Sequence, residues 1–228
     1  MGRVCVGTPA LERPSWAFVE SLLFLDVPGG WTFRRAGPLA VDVARNELVS
    51  AFLASRDEWL LLVDSDAVLH RDTVKRLLSW GQPVVSALAF MRYGALMPSA
   101  FRGRDGNSEK FLILHQEIAT WLEAHQELYV DGGAAVLEPR PDDALLAVDR
   151  VGCHCLLVHR DALSAVEPPW FVGQPPKGSG EDFFFCDRLQ EAGAPIYVDR
   201  SVVAGHLYGD RPLGALDFMV WRAAAREG

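Results

Sequence analysis

The stretch Trp59-Leu60-Leu61-Leu62-Val63-Asp64-Ser65-Asp66 decides the fold class. Five large apolar residues followed by two carboxylates one residue apart predict a buried strand that ends in a polar site. Because strand side chains alternate with a period of two, we expect Asp64 and Asp66 to point to the same side. Carboxylates this close repel each other and need a cation or a shared proton. Oxygen ligands at a sheet edge suit Mg²⁺ or Mn²⁺, which often bridge to a substrate phosphate.

Strand and helix patterns alternate on either side of this stretch. Strands are predicted at residues 3–7, 31–33 and 83–90, and helices at 15–25, 41–54 and 73–80, with Ser15 and Asp72 as possible N-caps. This alternation favours a parallel α/β sheet. The clearest helix, 41–54, has an apolar stripe and leaves other side chains elsewhere on its surface. The stripe is Ala44, Leu48, Ala51 and Phe52, and the others are Asp42, Arg45, Asn46 and Ser50.

The second part of the chain has a weaker pattern. Between 92 and 146 only a helix at 117–126 stands out; strands are predicted at 148–159 and 195–198, and helices at 181–192 and 217–225. The Gly-rich loop 173–180 is long enough to act as a lid over a site. The length of 228 residues, half of them apolar, fits one domain with a sizeable core.

Composition narrows the partners and the compartment. A net charge of -8 gives no overall attraction to nucleic acid or to an anionic membrane. No apolar run approaches the roughly 20 residues of a membrane span, and the N-terminus lacks the apolar region of a signal peptide. We therefore expect a cytoplasmic protein, with Cys5, Cys153, Cys155 and Cys186 reduced and buried.

Other polar groups offer both functional and structural interpretations. The pair Glu181-Asp182 opens a helix after the Gly-rich loop; it either complements the helix dipole or supplies a general base in Asp182. His206 follows the predicted last strand and is either structural or completes an Asp-containing metal site, which would suit Mn²⁺ better than Mg²⁺. Arg45-Asn46 is a solvated helix face or a diphosphate contact. Zinc at Cys153-His154-Cys155 is disfavoured because strand alternation separates the cysteines from the histidine.

Taken in order, these segments resemble the GT-A class of nucleotide-sugar-dependent glycosyltransferases. The resemblance is weakest between residues 92 and 146. The matching elements are Thr8-Pro9, the helix segment 44–48, the Asp-x-Asp motif Asp64-Ser65-Asp66, the segment 151–157, Gly180-Glu181-Asp182 and His206. The resemblance implies an α/β fold: a single GT-A-like domain over 1–228 with a Rossmann-like, mostly parallel sheet flanked by helices. Its nucleotide-binding half would be 1–91 and its acceptor-binding half 92–228, with 102–146 as a short acceptor-side elaboration.

The resemblance also implies roles for individual residues. Asp66 would bind a Mn²⁺ or Mg²⁺ ion, with Asp64 in the metal shell or at the ribose and His206 completing the site. Asp182, with Glu181 beside it, would deprotonate or orient the acceptor. The remaining predicted contacts are Thr8, Pro9, Arg45 and Asn46 near the nucleotide, and Gly152 and His154 near the sugar, where Gly152 would leave room for it. Lys177 in the loop would add positive charge on closure.

The donor would be a nucleotide-diphosphate sugar, and the acceptor a hydroxyl of a glycan, a small metabolite or, as a minority hypothesis, a hydroxylated base in DNA. For DNA, a local basic patch is available in Arg92, Arg102, Arg104 and Lys110 beside Tyr93 and Phe101, against the overall negative charge. Two alternatives stay open. Asp64-Ser65-Asp66 also resembles the nucleophile motif of haloacid-dehalogenase-type phosphatases, and the chain would otherwise be a non-catalytic sugar-nucleotide-binding scaffold.

Overall fold

The computed structural model describes residues 2–10, 13–92, 96–103, 108–125, 133–175 and 180–227. The strands are β1 Val4–Pro9, β2 Trp31–Ala36, β3 Trp59–Val63, β4 Ala67–Val68, β5 Val84–Leu88, β6 Ala100–Phe101, β7 Ala135–Val136, β8 Leu145–Val148, β9 Arg150–Val151, β10 Cys155–His159, β11 Ile196–Val203, β12 Gly205–Tyr208 and β13 Arg211–Leu213. The helices are α1 Trp16–Leu23, α2 Val41–Leu53, α3 Thr73–Ser79, α4 Ser108–Ala124, α5 Arg160–Ser164, α6 Glu181–Glu191 and α7 Ala215–Glu227.

An eight-stranded sheet forms the centre of the molecule, in the order β2-β1-β3-β10-β5-β11-β7, with β8 also paired to β11. β2, β1, β3, β5 and β11 run in one direction, which confirms the predicted mostly parallel sheet. β10 lies antiparallel between β3 and β5, an arrangement that the sequence did not indicate. The sheet thus unites strands from both predicted halves of the chain.

Helices pack on both faces of this sheet, as predicted. Leu60 and Leu62 of β3 belong to the core cluster that contains Phe52 of α2, whereas Leu61 and Val63 belong to the cluster that contains Val74 of α3. Alternating side chains of one strand therefore enter two cores, which explains why β3 reads as a continuous apolar run. None of the helices in the described ranges is both long and apolar enough to cross a bilayer.

Several local predictions need correction. β3 ends at Val63, so Asp64 and Asp66 lie in a turn and not on the strand; the Ala67 amide donates to Asp64 O (3.0 Å), and β4 follows. The predicted strand 148–159 is broken into three pieces by non-strand backbone at 149 and 152–154. β11 extends to Val203 and is not the last strand, because β12 and β13 follow it.

The observed helix ends agree only in part with those predicted from the sequence. The Ser15 hydroxyl accepts from the Phe18 amide (3.1 Å) and caps α1 as predicted. Asp72 precedes α3, but its side chain makes no capping hydrogen bond. The predicted helix 117–126 is the second half of the longer α4.

The end of α2 is fixed by one guanidinium. Arg160 donates to the carbonyl oxygens of Phe52 (2.9 Å), Leu53 (3.0 Å), Ser55 (3.1 Å) and Asp57 (2.7 and 2.8 Å). These carbonyls lie at the C-terminal end of α2 and in the loop after it, where the regular hydrogen bonds of the helix stop. Arg160 therefore ties α2 to the start of α5, and α2 carries Arg45 of the candidate site.

Replacing Arg160 tests this anchor. We expect Arg160→Met to lower the free energy of unfolding by about 2–4 kcal/mol, because carbonyls that had a charged donor lose it. Urea denaturation measures the change, and Arg71→Met, at an exposed position, is the matched control. Equal effects of the two substitutions would show that Arg160 is not an anchor.

Candidate active site

The predicted nucleotide residues Thr8 and Pro9 lie at the carboxyl end of β1, beside the end of β3. β1 pairs with β3 as far as Gly7, which lies opposite Leu62. Thr8 therefore lies next to the end of β3, after which Asp64 follows. Thr8 is fully buried, and its hydroxyl has no hydrogen-bond partner among the described residues. Ligands of α/β sheets bind outside the carboxyl ends of the strands, and these residues lie at such an edge.

Two histidines face the Asp-x-Asp turn with their tautomers set by the backbone. His154 Nε2 lies 3.1 Å from Gly205 O, and His206 Nδ1 lies 2.8 Å from Phe90 O. Because a carbonyl oxygen only accepts, these nitrogens carry the protons. The opposite nitrogens of the neutral rings therefore present lone pairs. His154 Nδ1 is 3.9 Å from Asp64 Oδ2 and 3.9 Å from Asp66 Oδ1, and His206 Nε2 is 3.5 Å from Asp66 Oδ2.

This arrangement fits a metal ion. A lone pair that faces a carboxylate is repelled unless a cation or a proton lies between them, and the buried His154 Nδ1 has no hydrogen-bond partner in the part of the chain that the structure describes. Ligand atoms of Asp66, His154 and His206 all lie within 4.8 Å of one another. Two ligands about 2.1 Å from one ion are separated by about 3–4 Å. The distances from Asp66 to His154 Nδ1 (3.9 Å) and to His206 Nε2 (3.5 Å) lie in this range. Histidines that bind metals characteristically donate their second N–H to a carbonyl, as both rings do.

The ligand atoms of this cluster indicate which metal it would bind and which predicted residues belong to it. Two imidazole nitrogens and a carboxylate favour Mn²⁺ over Mg²⁺, which prefers oxygen. His154, predicted near the sugar, lies in this cluster. Asp64, predicted as a ligand, flanks it. The pKa of His154 is raised: burial lowers it, but the charges of Asp64 and Asp66 outweigh the burial.

Arg45 joins three carboxylates. Its Nη2 donates to Asp64 Oδ1 (2.7 Å), and its Nη1 donates to Glu181 Oε1 (2.8 Å) and Asp182 Oδ1 (2.7 Å). Only 2% of Arg45 is exposed, so the solvated helix face that the sequence allowed is wrong for this residue. Burial would raise the pKa of Asp64, but Arg45 and His154 hold it well below its usual range. The two predicted acid pairs are thereby brought into one network.

Asp182 is held at both oxygens. Oδ1 accepts from Arg45, and Oδ2 accepts from the backbone amide of Cys153 (3.2 Å). Gly152 lies beside it: a Cβ there would lie 2.5 Å from Ser99 Oγ and 3.5 Å from Asp182 Oδ2. A side chain at position 152 would therefore require the Ser99 hydroxyl to move, and this hydroxyl lies in the space that we expected to hold a sugar. Contact between Gly152 and a sugar stays a prediction.

The side chain of Asn46 makes structural hydrogen bonds within the protein. Its amide donates to Asp42 O (2.9 Å) and Phe171 O (2.8 Å), and its oxygen accepts from the amides of Trp170 (2.9 Å) and Phe171 (3.1 Å). These four bonds use both donors and both lone pairs of the side chain. Asn46 therefore anchors the segment at 170–171 to α2, and its nucleotide contact stays a prediction.

Sequence reasoning missed the role of Arg92, which it considered only for a DNA-binding patch. The Arg92 guanidinium donates to the Asp66 carboxylate and to Leu207 O (3.2 Å). Arg102 of the same patch is paired with Glu117 (3.0 Å). Both arginines thus already face carboxylates, which reduces the positive charge available to DNA. Tyr93, Arg104 and Lys177 lie outside the described residues.

Comparisons with known proteins bear on the fold alone. No family model matches the chain, and no curated protein sequence does. Among solved structures, the chain is similar to the crystal structure of A197 from STIV, with a TM-score of 0.61 and 16% sequence identity. The match covers 94% of this chain and 91% of A197. The fold therefore recurs over nearly the whole length of another protein.

Glu181 gives the site a measurable pH dependence. Burial and the neighbouring Asp182 raise the pKa of Glu181 from its usual 4.5 to about 7. The folded state therefore holds this proton more tightly than the unfolded state. That contribution to stability is complete below about pH 4.5 and is lost as the pH rises through about 7.

We expect the melting temperature of the wild type to fall by about 6–12 °C relative to Glu181→Gln between pH 4.5 and pH 8. Thermal denaturation across this range measures the difference. Glu47→Gln, at an exposed position on α2, is the control and should run parallel to the wild type. A pH-independent offset for Glu181→Gln would contradict the raised pKa.

Proposed function

We propose that the chain is a metal-dependent glycosyltransferase with a GT-A-like, Rossmann-like domain. It would transfer a sugar from a nucleotide-diphosphate sugar to a hydroxyl acceptor. The observation that carries the proposal is the network in which Arg45 links Asp64, beside the His154–His206–Asp66 cluster, to Glu181 and Asp182. A metal-binding group and a separately held carboxylate, side by side at a sheet edge, are what this reaction requires.

The donor would bind at the histidine cluster. A Mn²⁺ or Mg²⁺ ion held by Asp66, His154 and His206 would neutralise the charge that develops on the departing nucleotide diphosphate. Thr8, whose buried hydroxyl has no hydrogen-bond partner among the described residues, lies at the same sheet edge and would supply a polar contact for the nucleotide. Asp64 is kept ionised by Arg45 and adds negative charge beside the cluster, which strengthens its attraction for a divalent cation.

Asp182 would act on the acceptor. Its carboxylate is oriented by Arg45 and by the Cys153 amide, and it is not a member of the group of potential metal ligands. It would accept the proton of the acceptor hydroxyl as the acceptor oxygen bonds to the anomeric carbon and the bond from sugar to phosphate breaks. Arg45 donates to both Glu181 and Asp182 and so offsets the repulsion between these two neighbouring carboxyl groups.

The phosphatase alternative needs Asp64 as a nucleophile that attacks phosphorus. Asp64 Oδ1 instead accepts from the buried Arg45 at 2.7 Å, and its Oδ2 is directed towards His154. A carboxylate that is paired with a buried guanidinium is a weaker nucleophile towards phosphorus. The geometry therefore favours the glycosyltransferase.

Two variants separate donor binding from transfer. The first readout is the rise in melting temperature with nucleoside diphosphates and sugar nucleotides, with and without Mn²⁺. The second is release of nucleoside diphosphate from the sugar nucleotide that stabilises the protein. We expect Asp66→Ala to lose both, because it removes a metal ligand. Asp182→Asn should keep the Mn²⁺-dependent stabilisation and release nucleotide at least about 100-fold more slowly, because it removes the base.

Asp161→Asn, which changes a side chain that is 89% exposed, is the charge-matched control and should behave as the wild type. Metal-independent stabilisation, or an Asp66→Ala variant that binds like the wild type, would contradict the metal site. Unchanged nucleotide release by Asp182→Asn would contradict the base. Hydrolysis of a generic phosphomonoester without any response to nucleotides would favour the phosphatase.

A further inference from the structure

Arg92 places a positive charge on a candidate metal ligand. It lies two residues after Phe90, whose carbonyl sets the tautomer of His206, and its Nη1 donates to Asp66 Oδ2. The same nitrogen donates to Leu207 O (3.2 Å). The side chains of Arg92 and Asp66 are 26% and 31% exposed, so this ion pair is open to water on one side.

The oxygen atom of Asp66 that accepts from Arg92 is also the one expected to bind the metal ion. Asp66 Oδ2, which accepts from Arg92, is also the oxygen that lies 3.5 Å from His206 Nε2. A divalent ion between Asp66 and His206 would therefore lie next to the guanidinium, and like charges in contact repel strongly. Arg92 and a metal ion thus compete for one carboxylate oxygen.

We propose that Arg92 substitutes for the metal in the unloaded protein and is displaced when the ion binds. Its released guanidinium then binds the diphosphate of the incoming donor beside the ion. The displacement step is independent of the chemistry of transfer, whereas the second step rests on the proposed donor.

The surrounding backbone is fixed by hydrogen bonds, so the displacement of Arg92 from Asp66 would involve the arginine side chain and not the backbone. The Leu207 amide donates to Asp66 O (2.8 Å), and β12 pairs with β4, so the turn that carries Asp66 and the strand that carries His206 are joined. The partially exposed guanidinium borders solvent, from which a diphosphate would reach the metal. A planar guanidinium also matches phosphate oxygens with two parallel hydrogen bonds, which a lysine cannot do.

The competition predicts opposite effects on two ligands. In isothermal titration with MnCl₂ alone, Arg92→Gln should bind Mn²⁺ about two- to fivefold more tightly than the wild type, because no ion pair of this partially exposed kind has to be broken. In the presence of saturating Mn²⁺, the same variant should bind inorganic pyrophosphate about tenfold more weakly, because a charged donor to phosphate is lost.

Arg102→Gln is the matched control. It removes the same charge from an arginine that is paired with Glu117 instead of Asp66. If both variants changed Mn²⁺ affinity equally, the effect would be one of net charge and the competition would be wrong. Circular dichroism and the melting temperature establish that each variant is folded before the titrations are compared.

The remaining outcomes separate this inference from the proposed function. Unchanged or weaker Mn²⁺ binding by Arg92→Gln, with normal binding by the wild type, would overturn the displacement and leave the metal-dependent function intact. Tighter Mn²⁺ binding with unchanged pyrophosphate affinity would overturn the second step only. A wild type that binds no Mn²⁺ would overturn both the inference and the metal-dependent function.

Discussion

The site depends on the buried guanidinium of Arg45. A buried arginine is costly unless it is paired, and here Asp64, Glu181 and Asp182 pair with it from two separate elements. The positive charge of Arg45 offsets the repulsion among these three carboxylates and so allows them to lie close together. Removing Arg45 would therefore disturb the acid that flanks the metal cluster and the proposed base at the same time. This coupling explains why α2, which supplies neither a metal ligand nor a base, carries a central residue of the site.

The second physical constraint is the insertion of β10 between β3 and β5. Because β10 runs antiparallel to β3, the turn that precedes it lies next to the turn that follows β3, and the Asp64 amide donates to His154 O (3.1 Å). The continuous apolar run 155–158 allows this strand to be buried on both faces. Along the chain Asp66 and His154 are far apart, and this pairing is what brings them together. The site therefore draws on both parts of the chain, and neither part would hold the metal cluster alone.

Much of the frame could be predicted from local pattern. The apolar run before Asp64, the helix that begins at Glu181 and the strand–helix alternation of the first 90 or so residues are encoded by neighbouring residues. The burial of Arg45 could not be predicted, since its acidic partners on α6 lie 136 and 137 residues away. The position of β10 and the contact of Arg92 with Asp66 also depend on the tertiary fold. Local sequence therefore indicated candidate polar groups, and long-range packing decided which of them meet.

The central claim is that Asp66, His154 and His206 form a metal centre that receives a nucleotide diphosphate. The most direct test is a crystal structure of the protein soaked with MnCl₂ and a nucleoside diphosphate, with data collected at a wavelength where manganese scatters anomalously. The account predicts an anomalous peak about 2.0–2.3 Å from His154 Nδ1, His206 Nε2 and an oxygen of Asp66, with phosphate oxygens completing the coordination. A peak elsewhere, or an intact contact between Arg92 and Asp66 with no anomalous peak between the histidines, would contradict it.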